Sequence, residues 1–193
     1  MSSENLKDNF QIRAIDLIKK YKFFIITLII TVFISGSTFL VYKNLQKKSN
    51  IKIAQQYTQA SILIDQKKLK ESELLILGII EKDHKFYSPL ALYLMIENNV
   101  ETNASKIITY FDRILKNNSI DKENLNLIRI KKAIYLFDSE NEKLITETLN
   151  PVINSNSVWK KMAIELISEY FLSLNQKIKA DEYIQLLNIQ PSK

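Results

Sequence analysis

The sequence predicts an all-α protein, with one membrane-spanning helix near the N-terminus followed by a stack of about four helical hairpins. Three observations point there. The 193 residues include only 2 Gly and 3 Pro, too little punctuation for a sheet protein with many tight turns. Residues 23–42, FFIITLIITVFISGSTFLVY, run for twenty residues without a charge. From about residue 45 onward, helix-length apolar segments alternate with short polar stretches. With 46% hydrophobic residues, 9 Tyr and 9 Phe, the chain carries enough apolar material for a packed core.

The span comes first. Twenty helical residues cover about 30 Å, the thickness of a bilayer's hydrocarbon core. Lys19, Lys20 and Lys22 precede it and Lys43, Lys47 and Lys48 follow, while Tyr21, Phe23, Phe24 and Tyr42 lie at its ends as interfacial aromatics do. The segment reads as an uncleaved anchor. A cleaved signal peptide is the competing reading, with 23–34 as its apolar region and Ser35-Gly36-Ser37 as a cleavage site. Against it, Phe39-Leu40-Val41-Tyr42 continue the apolar run beyond that site. Orientation is a tie by charge: Arg13, Lys19, Lys20 and Lys22 on one flank match Lys43, Lys47, Lys48 and Lys52 on the other.

Within the span, Thr27, Thr31 and Ser35 recur every four residues, with Gly36 beside them. Small residues at this spacing let a second helix approach closely, which makes the four a candidate docking face. Alternatively, the hydroxyls simply bond back to carbonyls of their own helix. Before the span, Leu6, Phe10, Ala14, Leu17, Ile18 and Tyr21 share one face of a possible helix with basic residues largely off it. Residues 1–22 therefore read as a basic amphipathic segment, lying on the membrane surface or recognising a partner.

Beyond the span, helices are expected over 45–65, 68–81, 90–97, 105–116, 122–137, 142–153, 158–174 and 178–189. Ser88 is the expected cap of the third, with Pro89 in its first turn, and Asp121 the cap of the fifth. Pro151 should kink or end the sixth. The second members of the pairs begin near 68, 105, 142 and 178, a period close to that of tetratricopeptide-type helix–turn–helix repeats. In the last pair, Ile164, Ile167, Ser168 and Phe171 face Ala180, Ile184 and Leu187 at the offsets where paired repeat helices meet. Ala60, Ser72, Ile76 and Ile79 recover part of this pattern, and the middle pairs keep only the helical rhythm. Residues 43–193 thus read as one α-solenoid domain, its aromatics (Tyr93, Phe111, Tyr135 and Phe171 among them) mostly core.

Chemistry finds little footing. The absence of cysteine excludes disulfides, thiolate metal sites and cysteine nucleophiles. The single histidine, His84, sits in a polar turn and cannot form a transition-metal site alone. Gly36 and Gly78 are too isolated for a phosphate loop, and acid pairs such as Glu71/Glu73 lie among lysines. The net charge of +6 shows no concentrated basic face of the kind that reads nucleic acid. No catalytic residue, metal or cofactor is expected.

An N-terminal amphipathic stretch, a single span, a lysine-bearing juxtamembrane helix and a tetratricopeptide-like domain occur in a recognisable order, most specifically over residues 8–42, running into Val41-Tyr42-Lys43-Asn44, and in the terminal hairpin 159–187. The chain resembles the ancillary subunits of the bacterial SecYEG translocon, the single-span, tetratricopeptide-like YfgM-like family. The resemblance implies a non-enzymatic inner-membrane protein with residues 1–22 cytoplasmic and the helical domain periplasmic. Its implied partners are the Sec translocon, periplasmic chaperones and exported polypeptides. The Ile-, Lys- and Asn-rich composition departs from the family. A scaffold or targeting receptor facing the cytosol is the alternative that the charge tie keeps open, with an enzyme or enzyme subunit third.

Overall fold

The computed structural model describes residues 20–139 and 141–188, and they are helical throughout, with no strand among the described residues. Eight helices follow one another: α1 (Lys22–Asp65), α2 (Leu69–Ile80), α3 (Tyr87–Glu97), α4 (Ala104–Leu115), α5 (Lys122–Tyr135), α6 (Glu142–Ile153), α7 (Lys160–Ser173) and α8 (Lys177–Asn188). The expected amphipathic stretch before Lys20 lies outside the described residues. The chain divides into two compact units after Lys52.

The first unit contains the apolar part of α1. Where the sequence suggested a span and a separate helix from Leu45, α1 runs unbroken through Lys43 and Asn44. Nothing between 42 and 45 is a helix breaker: Lys is a good former and a single Asn costs only a few tenths of a kcal/mol.

In the second unit successive helices pack on one another, α7 on α8 most extensively and α2 on α3 next, while the C-terminal part of α1 meets α2 at the Ala60–Ser72 bond. Taken in the order expected from the sequence, the hairpin pairs are the C-terminal part of α1 with α2, α3 with α4, α5 with α6, and α7 with α8. The connections 81–86, 116–121 and 154–159 between pairs are all six residues long. The turns within pairs differ: three residues in the first and last (66–68 and 174–176), six in the middle two (98–103 and 136–141). The short outer turns are closed by small residues. Ser72 donates its hydroxyl to the carbonyl of Ala60 at 2.9 Å, and Ser168 does the same to Ala180 at 3.2 Å. All four are essentially buried, so the helices approach without a large side chain between them. At the place of Ser72, three residues into their helices, α4 and α6 have the buried Ile107 and Ile145. The sequence pattern is therefore clear at both ends and faint in the middle.

Helix ends use polar residues where glycine is missing. Lys67, Asn99 and Asn175 adopt left-handed φ of 60°, 51° and 58°. The amides of Lys68, Val100 and Gln176 then reach back to the carbonyls of Leu63, Met95 and Phe171 at 2.8–2.9 Å, the Schellman closure of a helix C-terminus. At N-termini, Asn103, Asp121 and Asn141 accept from the amides of Lys106, Asn124 and Leu144. Asp121 thus caps as expected, but Ser88 does not cap α3. It lies inside the helix, buried, donating to the carbonyl of Ile79 at 2.9 Å. The cap is supplied by His84, whose Nδ1 accepts from the amides of Phe86 (3.2 Å) and Tyr87 (3.1 Å). Pro151 stands in the last turn of α6, which ends at Ile153.

The core has two parts that meet within α5. One gathers Ile76, Ile79, Leu92, Met95, Ile107, Phe111 and Ile128, and the other begins at Ile130 and gathers Ile145, Leu149, Ile164, Ile167 and Phe171. Tyr135 packs against both. Each fully buried Ile or Leu contributes about 2 kcal/mol.

Candidate functional site

Two features of this protein expose apolar surface among the described residues. The first is α1, long and apolar enough to cross a membrane, with none of its apolar window covered by protein. Phe23 is 87% exposed and Phe33 72%, which in water would be strongly unfavourable and in a bilayer is not. On this helix, Thr27 and Thr31 donate to the carbonyls of Phe23 and Thr27, each at 2.8 Å, so those hydroxyls are satisfied within the helix. Ser35 is exposed, and a Cβ at Gly36 would meet nothing within 4 Å. The four predicted docking residues thus sit on consecutive turns of one uncovered surface.

The second feature is a shallow groove along α3 and α5. Two recesses of about 190 and 180 Å³ adjoin there, and Tyr93 lines both. Phe86, Leu90 and Leu127 line one, and Ile96, Ile134 and Tyr135 the other. Phe86 and Ile134 remain 59% and 51% exposed, so the groove presents apolar side chains at its edge. The ammonium of Lys131 lies 5.8 Å from the centre of the Tyr93 ring, within cation–π range. Burial pushes the Tyr93 phenol up to about 12, so it stays a neutral hydrogen-bonding group near neutral pH. The groove thus combines aromatic faces and aliphatic edges with two cations, Lys85 and Lys131, and one carboxylate, Glu97.

A third recess, about 910 Å³, is chemically different. Its lining includes Glu81, Asp83, Asp112, Arg113 and Lys116, and three of these charged groups take part in ion pairs. Arg113 holds both carboxylate oxygens of Asp83 (2.9 and 2.8 Å) and the carbonyl of Glu81 (2.9 Å). Asp112 accepts from Lys132 at 2.6 Å. These contacts tie α4 to the 81–86 connection between α2 and α3 and to α5, which is a structural task.

Among the described residues, no group of three His, Cys, Asp or Glu side chains is placed to hold a metal ion. His84 is half-buried in its capping role. Burial, and then the charge of Lys85, lower its pKa, in keeping with a neutral ring that accepts hydrogen bonds. Sequence reasoning missed this role, and also the Arg113–Asp83 and Lys132–Asp112 pairs, whose members lie 30 and 20 residues apart.

No protein-family model, no curated protein and no solved structure matches this chain.

Proposed function

We propose that the protein is a non-enzymatic, membrane-anchored adaptor whose helical domain binds other polypeptides. The observation that carries this is the groove around Tyr93, apolar and aromatic yet partly exposed, in a chain that also carries a membrane-crossing helix. Stacked helical hairpins of the tetratricopeptide type form an α-solenoid of about four pairs, and such stacks present long grooves of this kind. The repeated six-residue connections and the matching Ala60/Ser72 and Ala180/Ser168 bonds support that repeat reading.

The resemblance to the ancillary translocon subunits makes the proposal specific. The span docks beside the SecYEG channel in the bacterial inner membrane, through Thr27, Thr31, Ser35 and Gly36. The domain stands in the periplasm and receives exported polypeptides or their chaperones. The equal counts of positive charges on the two flanks keep one other reading open, a cytosol-facing scaffold or targeting receptor.

Two measurements separate these readings. Single thiols introduced at Ser3 and at Ser155 of the cysteine-free chain are challenged with an impermeant reagent on spheroplasts. Labelling at Ser155 alone supports the export adaptor, and labelling at Ser3 alone replaces it with the cytosolic scaffold. A photo-crosslinking residue at Ile134 then reports what occupies the groove in native membranes. Recovery of exported chains or chaperones, lost on Tyr93→Ala, supports the adaptor. Crosslinks that ignore that substitution would remove the groove from the mechanism.

A further inference from the structure

Between Asp16 and Asp65 the sequence contains no acidic residue, yet it contains seven lysines. Four of them, Lys43, Lys47, Lys48 and Lys52, follow the apolar run directly on the same continuous helix. At 3.6 residues per turn, Lys47, Lys48 and Lys52 lie about 40°, 140° and 180° around the axis from Lys43. All four therefore fall within one half of the circumference and within about 14 Å of axial rise. The other half carries Leu45, Gln46, Ser49 and Asn50, none of them charged.

All four lysines are exposed. Lys43 leans back over the ring of Phe39 at 5.0 Å, toward the apolar segment. Lys43/Lys47 and Lys48/Lys52 are like-charge pairs at i,i+4, which disfavour an isolated helix. Elsewhere the protein answers such charges: Lys106, Arg113, Lys132, Lys143, Lys161 and Lys179 each meet a carboxylate within 4 Å. On the segment 43–52 no carboxylate is near in sequence, and none of the ion pairs among the described residues involves these lysines, so their charge is available to an anionic surface.

We propose that residues 43–52 of α1 form a docking surface for anionic phospholipid headgroups. The position supplies the argument for this occupant. The segment starts where a twenty-residue span leaves the hydrocarbon core, so its first lysines lie at headgroup depth and the last within about one and a half Debye lengths of it. A one-sided, acid-free lysine surface there complements a negative leaflet, and each lysine near such a surface biases the local lipid by about fivefold. This inference does not depend on what the helical domain binds.

Because the chain has no cysteine, a Ser49→Cys variant takes a single fluorescent donor beside the lysines, on the uncharged half of the helix. The full chain is reconstituted into phosphatidylcholine vesicles doped with a headgroup-labelled acceptor lipid, either phosphatidylglycerol or phosphatidylcholine at equal mole fraction. The expected result is several-fold more transfer to the phosphatidylglycerol acceptor. That excess should collapse when Lys47, Lys48 and Lys52 are all changed to Gln, persist when they are changed to Arg, and shrink in about 1 M salt. Equal transfer to the two lipids, or an excess unchanged by the triple Gln substitution, overturns the proposal.

Discussion

The Ser72 hydroxyl donates to the backbone carbonyl of Ala60 at 2.9 Å, and both residues are completely buried where α1 meets α2. The bond works only because neither side chain is larger than it is. The bond brings the two helices together locally, and a longer side chain at either position would have to displace its buried neighbours.

Substitution separates the bond from the fit. Ser72→Ala should cost about 1 kcal/mol, the worth of one buried neutral hydrogen bond. Ser72→Leu should cost about 1–3 kcal/mol more by overpacking the contact. Thermal unfolding of the full chain in detergent gives both values. Equal effects of the two variants would mean that the helices are not closely packed there.

His84 makes stability depend on pH. Its folded pKa is lowered below 6.5 by burial first and by the charge of Lys85 second, and the neutral ring accepts from the amides of Phe86 and Tyr87. A lowered pKa means that this stabilisation is complete above the unfolded value. It is lost as pH falls through the folded value, when Nδ1 acquires a proton and can no longer accept. His84→Ala should cost about 1 kcal/mol at neutral pH, the usual worth of an N-cap. Its unfolding curve should also lack the wild-type decline just below neutrality.

Lys132 and Asp112 form an asymmetric pair, 5% and 48% exposed at their side chains. Removing the carboxylate with Asp112→Ala leaves a buried ammonium without its partner. Because Asp112 faces water, the cost should fall below that of a fully buried pair, at about 2 kcal/mol. Lys132→Met keeps the length, removes the charge and should be nearly neutral. Denaturation of the two variants side by side decides this, and a larger loss for Lys132→Met than for Asp112→Ala would contradict it.

Lys67 occupies a left-handed turn at φ 60° without being glycine. Lys67→Gly relieves that conformation and should stabilise the chain by about 1 kcal/mol. Asn175→Gly, at an equivalent turn, should gain less, because Asn tolerates the left-handed region better than Lys. Comparing the two melting shifts tests whether these turns are strained.

Much of the architecture was legible in single residues. The uncharged run from Phe23 to Tyr42 announced a helix long and apolar enough to cross a membrane, and Asp121 announced the start of α5 through its capping chemistry. The scarcity of glycine pointed to helices but also hid the turns, which are made instead by Lys67, Asp83, Asn99 and Asn175 at positive φ. Ser88 was misread as a cap because Ser before Pro at a helix start fits that role. Its hydroxyl instead serves the Ile79 carbonyl, and that partner is set by how α2 and α3 pack.

The groove was less accessible. Tyr93 and Tyr135 stand on apolar stripes with the same periodicity as true core residues such as Phe111, and periodicity alone cannot tell a buried stripe from one at a groove's edge. The outcome depends on which neighbouring helix arrives and how closely.

By itself the sequence determined the elements: which stretches are helical, which one is apolar enough for a bilayer, and where lysines gather without acids. These follow from local backbone preference and from apolar spacing, properties of residues a few positions apart. Only the tertiary structure decided that α1 runs unbroken from Lys22 to Asp65, that His84 rather than Ser88 caps α3, and that Arg113 meets Asp83 and Lys132 meets Asp112. Each of the last three depends on distances between groups that the chain brings together through packing, and the unbroken α1 reflects cooperative helix propagation past a residue that only weakly opposes it.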